Sequence, residues 1–306
     1  MRIAHLSDLH LYAGGAPARR FLNKRLTGWV NLRTKRGHVH RAAYVRAIAL
    51  EIARLDVDHV VITGDLTNLA LEGEYELARE LIERDLGLDT SRVTVVPGNH
   101  DMYTRGAWAS RRFDRYLAPW LASDLPALAA DGDGGRFPLV KLLDGVAVIG
   151  LSSAVPRPPF VAAGELGRAQ LTALGRILSH PEVVRRTVVL AMHHPMAHSD
   201  SPIKAYLEGL RDAPALLLQL QTLSRGLLLH GHLHKRVRRD IATRAGVVHQ
   251  LGATSASLHH EGTDRMAGFN VYELSDSAIG RLEAHVYSPE TGTFHLTSVP
   301  RPAGLM

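Results

Sequence analysis

Short apolar runs recur along the chain up to residue 230, and longer stretches with the periodicity of amphipathic helices separate them. Uninterrupted apolar runs of this kind are typical of strands that are buried on both faces of a sheet. The runs cover residues 2–6, 59–62, 93–96, 188–192 and 227–230, and the helical patterns cover residues 40–55, 72–86, 164–178 and 214–223. This alternation predicts βα units.

After residue 234 the helical patterning stops. Short extended runs follow at 236–241, 246–251, 268–274, 281–287 and 294–297, separated by turn pairs such as Ala245-Gly246 and Thr291-Gly292. Such spacing is typical of antiparallel strands, which we expect to complete a second sheet. The predicted fold class is α/β, with a two-sheet β-sandwich flanked by helices.

A cluster of residues that bind metals well follows each of the five early apolar runs. The clusters are Asp8 and His10 in SDLH, Asp65 in TGDLTN, Asn99, His100 and Asp101 in PGNHD, His193 in MHHP, and His232 and His234 in HGHLH. Ligands of open α/β sheets bind beyond the carboxyl ends of the strands. We therefore expect all five clusters to meet at one edge of the fold.

The chemistry of these side chains indicates a pair of metal ions. Imidazole nitrogen and carboxylate oxygen suit Zn, Fe, Mn or Ni, and the chain has no cysteine to supply thiolate. A carboxylate can bridge two ions about 3.5–4 Å apart, and such a pair turns bound water into hydroxide near neutral pH. The clusters therefore predict two divalent or mixed-valence ions and hydrolysis of a phosphate ester by a metal-bridging hydroxide.

The five motifs resemble those of the calcineurin-like metallophosphoesterases. The pattern of that family is D-x-H, GD, GNH[DE], H and GHxH, and this chain carries every element in that order from residue 8 to residue 234. The resemblance implies the same sandwich fold. It also implies a metal set, in which one ion is held by Asp8, His10 and His234, the other by Asn99, His193 and His232, and Asp65 bridges the two.

The resemblance makes His100 the predicted catalytic residue, which would protonate the leaving alkoxide or contact the phosphate. His194 is interpreted as a residue that supports the ligands or faces the substrate. One position departs from the pattern, because phosphoprotein phosphatases have an aspartate where this chain has Asn68. A neutral amide stabilises an imidazolium less than a carboxylate does. The location of His100 therefore follows more directly from the motif than its role as an acid.

Other histidines in the chain have ordinary interpretations. Those embedded in strand-like runs are interpreted as structural, and those in polar segments as surface residues. The first group is His5, His59, His230 and His249, and the second is His38, His40, His198, His259 and His260.

The segment between the first two motifs is strongly basic and has no acidic residue from Leu9 through Leu50. Its cations are Arg19, Arg20, Lys24, Arg25, Arg33, Lys35, Arg36, Arg41 and Arg46. Apolar residues such as Leu22, Leu26 and Trp29 recur at helical spacing, which predicts a basic amphipathic helix. Three interpretations stay open: a helix packed on the body, a cap that attracts an anionic substrate, or attachment to an anionic lipid surface through Arg19–Arg36.

The expected organisation is one metallophosphoesterase domain over residues 1–306, with the basic cap-like insertion at about 17–40 and the C-terminal strands at about 236–298. No apolar window approaches the roughly 18 residues that a membrane span needs. The first predicted strand begins at Arg2 and leaves no room for a signal peptide. A cytoplasmic location is expected, peripheral to a membrane if the basic segment binds lipid.

The favoured function is that of a phosphodiesterase of the bacterial branch, acting on a cyclic nucleotide or a similar diester. The alternative is a lipid-linked pyrophosphate hydrolase resembling the UDP-diacylglucosamine pyrophosphatases, followed by a nuclease or a phosphomonoesterase. A pI near 9.8 would favour nucleic acid binding, although no separate nucleic-acid module is visible. A non-enzymatic scaffold is disfavoured, because all the ligand positions are retained.

Overall fold

Two six-stranded sheets form the centre of the protein in a computed structural model, which describes residues 1–14, 40–132, 134–158, 160–196 and 201–301. The first sheet contains β1 (Arg2–Leu6), β2 (His59–Ile62), β3 (Val93–Val95), β12 (Gly268–Leu274), β13 (Ile279–Ser288) and β14 (Thr293–Ser298). Their order is β14-β13-β12-β1-β2-β3. The three early strands are parallel, and the three late strands add to them in antiparallel fashion.

The second sheet contains β6 (Leu139–Leu142), β7 (Val146–Gly150), β8 (Thr187–Ala191), β9 (Arg225–His230), β10 (Val237–Ala242) and β11 (Val247–Gly252). Their order is β10-β11-β9-β8-β7-β6. Strands β7, β8, β9 and β11 are parallel, and the two edge strands are antiparallel to their neighbours. A small separate hairpin joins β4 (Ala130–Gly132) to β5 (Gly135–Phe137).

Helices cover the outer face of each sheet. The α-helices are α1 (Ala42–Arg54), α2 (Glu72–Glu80), α3 (Arg105–Ala109), α4 (Arg112–Leu117), α5 (Arg168–Leu178), α6 (Pro181–Val184), α7 (Pro202–Glu208) and α8 (Ala213–Leu220). A π-helical turn, Leu81–Leu86, extends α2, and the left-handed Gly87 ends it. Three short 3₁₀ helices lie at Thr90–Arg92, Ala118–Trp120 and Pro126–Leu128.

The core follows from the alternation of side chains along each strand. In β8, Val189 and Ala191 belong to a cluster that also contains residues of the first sheet. Val188 and Leu190 point the other way, into a second cluster with apolar residues of α5 and α8. Because successive strand residues face opposite sides of a sheet, β8 must be apolar throughout to serve both layers.

The predicted fold class is confirmed, and most predicted strands lie within two residues of the observed ones. The arrangement expected after residue 234 was wrong, because β10 and β11 join the second sheet whereas β12, β13 and β14 join the first. In addition, β11 lies parallel to β9. An apolar alternation identifies a strand but not its partner, and β6 and β7 were not predicted at all.

The basic segment proposed at about 17–40 lies outside the described residues except for His40, and His38 and His198 are also outside them. Within the described ranges, no helix is both long enough and apolar enough to cross a membrane.

Candidate metal centre

The five motifs meet where strands of both sheets end. The loops after β1, β2 and β3 come from the first sheet, and those after β8 and β9 come from the second. Contacts join the two sets across the end of the sandwich: Asp8 contacts His234, and Asp65 contacts His193. The prediction that the clusters converge on one edge is therefore realised in the geometry.

One group of ligand atoms surrounds the end of β1. The Oδ1 atom of Asp8 lies 3.1 Å from Nε2 of His234 and 3.8 Å from Nε2 of His10. The two imidazole Nε2 atoms are 2.9 Å apart. Ligands about 2.0–2.1 Å from a Zn ion lie about 3.0–3.4 Å from one another when they are adjacent. This spacing fits one ion held in common.

A second group surrounds the ends of β3 and β8. Nε2 of His193 lies 3.3 Å from Oδ2 of Asp65 and 3.1 Å from Oδ1 of Asn99. The ring of His232 is 5.1 Å from that of His193. Asp65 contributes to both groups, because its carboxylate lies within 4.8 Å of ligand atoms of Asp8 and His193 and also of His10.

A cation fits the electrostatics of this region. Asp8 and Asp65 are buried. No hydrogen bond of normal geometry reaches Oδ1 of Asp8 among the described residues, although Nε2 of His234 lies 3.1 Å away. A buried carboxylate oxygen without a well-placed donor or cation is strongly unfavourable. Burial acts to raise the pKa of Asp8, but the nearby His234 outweighs burial, so that the pKa lies below its ordinary value. The residues therefore fit a pair of metal ions.

The backbone at the motifs is held in an unusual conformation. Nine non-glycine residues in the described ranges have positive φ. Five of them are predicted ligands, namely Asp8 (φ 54°), His10 (46°), Asp65 (51°), His232 (68°) and His234 (49°). Such conformations cost on the order of 1–3 kcal/mol each and concentrate at functional sites. At these five ligand positions the positive φ values help side chains from separate loops to point toward one common centre.

Two motif glycines allow the loops to approach this closely. A Cβ atom at Gly98 would overlap the carboxylate and backbone nitrogen of Asp65. A Cβ atom at Gly231 would overlap the hydroxyl of Ser7 and the carboxylate of Asp8. The glycines of the GNH and GHxH motifs are thus required by packing against the two carboxylates.

Asp101, the last residue of the GNHD motif, holds loops together. Its carboxylate accepts hydrogen bonds from the backbone nitrogens of Leu66 (3.3 Å), Thr67 (2.9 Å) and Gly98 (2.9 Å). Burial and the nearby Asp65 raise its pKa to about 7. Asp101 therefore joins the loop after β2 to the loop after β3.

His194 lies behind the site. Its ring is 4.6 Å from that of His232, but both of its nitrogens have partners. Nδ1 lies 2.8 Å from the hydroxyl of Ser153, and Nε2 lies 2.8 Å from the carbonyl oxygen of Ala162. Of the two roles considered for His194, support of the neighbouring loops is the one that this geometry favours.

The position of His100 is fixed by Asp65 and Asn68. Its backbone nitrogen donates to Oδ1 of Asp65 at 2.7 Å, and Nδ1 lies 2.7 Å from the backbone carbonyl of Asn68. The side-chain amide of Asn68 instead donates to the carbonyls of His10 and Leu11. A backbone carbonyl therefore orients the imidazole of His100.

His40 was missed by the sequence interpretation. It was interpreted as a surface residue, yet it is half-buried and its ring lies 4.9 Å from that of His10 and 5.7 Å from that of His234. Its Nδ1 is 2.6 Å from the hydroxyl of Ser257. No motif marks His40, because it lies between the first two of the five clusters along the chain and belongs to neither.

A cleft of about 620 Å³ opens over the metal centre. Asp65, Asn99 and His100 line its floor together with His232 and His234. Its outer lining includes three cations and their neighbours, namely Lys204, Lys235, Arg265, Glu208 and His260. Lys235 is paired with Asp264 at 3.4 Å.

Comparison with known proteins identifies the family. Residues 1–236 match the profile of the calcineurin-like phosphoesterases, and the chain belongs to this family. A dimetal centre is typical of the family, and the His and Asp clusters described above provide for one. The chain is accordingly a metal-dependent phosphoesterase, with a phosphoester as its substrate.

Solved structures support the fold. The chain is similar to a dimetal phosphatase from Danio rerio, with 16% identity, a TM-score of 0.58, and coverage of 92% of this chain and 94% of that one. It is also similar to the purple acid phosphatase PPD1 from yellow lupin, with 12% identity and a TM-score of 0.61. That match covers 99% of this chain but only 54% of the lupin chain. Among curated protein sequences there is no significant match.

Proposed function

We propose that this chain is a phosphodiesterase whose two metal ions are held by the predicted set of seven residues. Asp8, His10 and His234 would hold one ion, Asn99, His193 and His232 would hold the other, and Asp65 would lie between them. Such a pair would supply an activated water molecule for in-line attack and neutralisation of charge on the phosphoryl oxygens. The native ions are drawn from Mn, Fe, Zn and Ni.

His100 is the proposed catalytic residue. Its Nδ1–H donates to the carbonyl of Asn68, which fixes the ring, and we assign Nε2 to the substrate phosphate or the leaving oxygen. A carbonyl carries no full negative charge, so it orients the imidazole without stabilising the imidazolium as a carboxylate would. For this step His100 starts protonated on both ring nitrogens: Nε2–H donates a hydrogen bond to the departing oxygen and gives it the proton as the bond breaks, which leaves a neutral imidazole whose Nδ1–H stays on the carbonyl of Asn68.

The distribution of charge around the cleft is the observation that supports a diester as the substrate. The ligand Asn99 and the neighbouring His100 bring no permanent charge, whereas Lys204, Lys235 and Arg265 stand at the outer lining. A phosphate monoester bears about −1.5 to −2 charge at pH 7, and a diester bears −1. A singly charged phosphate with two substituents suits a cleft in which no fixed cation of the protein adds to the charge of the metal ions and the outer cations meet the substituents.

A comparison of two chromogenic substrates tests this preference. We expect protein reconstituted with Mn²⁺, Zn²⁺ or Fe²⁺ to hydrolyse bis-p-nitrophenyl phosphate with a kcat/KM at least about tenfold above that for p-nitrophenyl phosphate, or about 1.4 kcal/mol in transition-state binding. Cyclic AMP serves as the nucleotide diester in the same assay. A higher kcat/KM for the monoester would contradict the proposal.

A lipid-linked pyrophosphate is the second candidate substrate, because apolar side chains stand next to the cleft. The segments that contribute Ala162 and Lys204 to its lining also carry Phe160, Ile203 and Tyr206, which are 90%, 73% and 62% exposed. Exposed apolar side chains near a phosphoester site suit an acyl chain. With this substrate, Phe160→Ser should raise KM for a UDP-sugar lipid and leave that for bis-p-nitrophenyl phosphate unchanged.

A further inference from the structure

We infer that His40 is an additional metal ligand, and that it binds the ion held by Asp8, His10 and His234. The inference rests on the proposed dinuclear centre but goes beyond its seven residues. Ligand atoms of His10, His40 and His234 all lie within 4.8 Å of one another. Three imidazoles that converge within this distance can approach a single ion such as Zn together.

The relative orientation of the rings supports coordination over stacking. His40 meets His10 at an interplanar angle of 72° and His234 at 81°, and the latter two rings meet at 62°. None of the three ring pairs is therefore stacked face to face. Imidazole binds a metal through a nitrogen lone pair in the plane of its ring, so rings that are not stacked can direct their nitrogens toward one ion.

A hydrogen-bonded chain of serines fixes His40 in this position. Nδ1 of His40 lies 2.6 Å from the hydroxyl of Ser257, which lies 3.1 Å from that of Ser255. The Ser255 hydroxyl in turn donates to the backbone carbonyl of Asp8 at 2.6 Å. Metal-binding histidines usually have the second ring nitrogen hydrogen-bonded in this way, which sets the tautomer and the direction of the first.

The backbone of His40 is held by the same segment. His40 forms an antiparallel bridge with Leu258, and the nitrogen of Arg41 donates to the carbonyl of Ser257 at 2.8 Å. Because Nδ1 faces Ser257, Nε2 is the nitrogen that we assign to the ion. One ion would then have an additional imidazole ligand, while the ion near Asn99 keeps more positions for water and substrate.

Metal titration of the metal-free protein tests the assignment without an activity measurement. For His40→Ala and His40→Gln, we expect one of the two Zn²⁺ ions to bind about 10–100-fold more weakly and the other to bind as in the wild type. Ser257→Ala, which removes the positioning hydroxyl, should give a smaller loss at the same ion. His259→Ala is the matched control, because His259 is an exposed histidine that bonds to Tyr44 at 3.1 Å.

Co²⁺ substitution supplies a spectroscopic measure of the ligands. Loss of one imidazole should change the visible absorption of the Co²⁺ protein in both His40 variants but not in His259→Ala, and circular dichroism checks that each variant is folded. If the His40 variants keep wild-type Zn²⁺ affinities and Co²⁺ spectra but have a raised KM, His40 contacts the substrate and is not a metal ligand. That result would overturn this inference and leave the proposed function standing. A wild-type protein that binds no metal would overturn the proposed function as well.

Discussion

Two regions of this protein contain histidines whose neighbouring groups differ in chemistry. Inside the strands the neighbours are hydroxyl groups, and at the ends of the strands they are carboxylates and other imidazoles. Inside the strands, His5 bonds to the hydroxyls of Tyr272 (3.0 Å) and Thr63 (2.9 Å), and His59 bonds to the hydroxyl of Thr94 (2.8 Å). At the carboxyl ends of the strands, Nε2 of His10 faces Nε2 of His234 at 2.9 Å. His10 is buried like His5 and His59, and His234 is partly exposed, but the chemistry of the neighbours is what separates the two regions.

The difference shows that the partner of a buried histidine, more than its burial, indicates its role. Hydroxyl groups both donate and accept, so they satisfy a neutral imidazole, and burial lowers the pKa of His5 and of His59 to about 3. For His193, burial also acts to lower the pKa, but the Asp65 carboxylate outweighs it and raises the pKa to about 9. Asp65 thus favours a proton on His193, whereas burial lowers the pKa of the neighbouring His10 and His232 as it does inside the strands.

The largest expected effect comes from removing the bridge. Asp65→Asn should release both metal ions and lower kcat/KM by at least about 10³-fold, because metal ions supply several kcal/mol of transition-state stabilisation. Elemental analysis of the reconstituted variant checks the metal content. Retention of two ions per chain at wild-type affinity would contradict the bridging role.

Replacing His100 should separate catalysis from metal binding. We expect His100→Ala to keep both ions and to slow turnover by roughly 10²–10⁴-fold, the range of general acid–base catalysis. The loss should shrink for aryl leaving groups that need no proton. A series of diesters of different leaving-group pKa measures this, and an equal loss across the series would assign His100 to phosphate contact only.

Replacing a histidine inside a strand should lower stability and leave metal binding unchanged. His59→Ala should lower the free energy of unfolding by about 2–4 kcal/mol, because it leaves a cavity and removes the partner of the Thr94 hydroxyl. Zn²⁺ stoichiometry and affinity should match the wild type. Chemical denaturation and metal titration of the same preparation test both statements. If His59→Ala also lost metal, the contrast between strand histidines and metal-binding histidines would be wrong.

Glu74, buried at the start of α2, gives a smaller effect that depends on pH. Burial raises its pKa from 4.5 to about 7, against hydrogen bonds from the backbone of Leu69 and Leu71. Between these two pH values the folded protein keeps a proton that the unfolded chain has lost, so the free energy of unfolding falls as pH rises.

Glu74→Gln cannot ionise and should escape this loss. Its free energy of unfolding relative to wild type should increase by about 1–3 kcal/mol from pH 4.5 to pH 7 and stay constant above that. Denaturation of metal-free protein in the presence of chelator measures both profiles. Parallel profiles across this range would show that Glu74 titrates normally in the fold.

The sequence predicted the parts of the structure that depend on local pattern. Motifs that directly follow apolar runs had to reach one edge, since parallel strands share their carboxyl end. The role of Asn68 could not be predicted, because the backbone carbonyl that orients His100 belongs to every residue type. His40 could not be predicted either, since its approach to His10 depends on the pairing of residue 40 with Leu258.

The central claim is a pair of metal ions bridged by Asp65, and anomalous scattering from crystals of the reconstituted protein tests it most directly. We expect two anomalous peaks about 3.5–4 Å apart, the separation typical of two-metal sites. One peak should lie among Asp8, His10 and His234, and the other among Asn99, His193 and His232, with the Asp65 carboxylate between them. A single peak, or none, in fully reconstituted protein would contradict the claim.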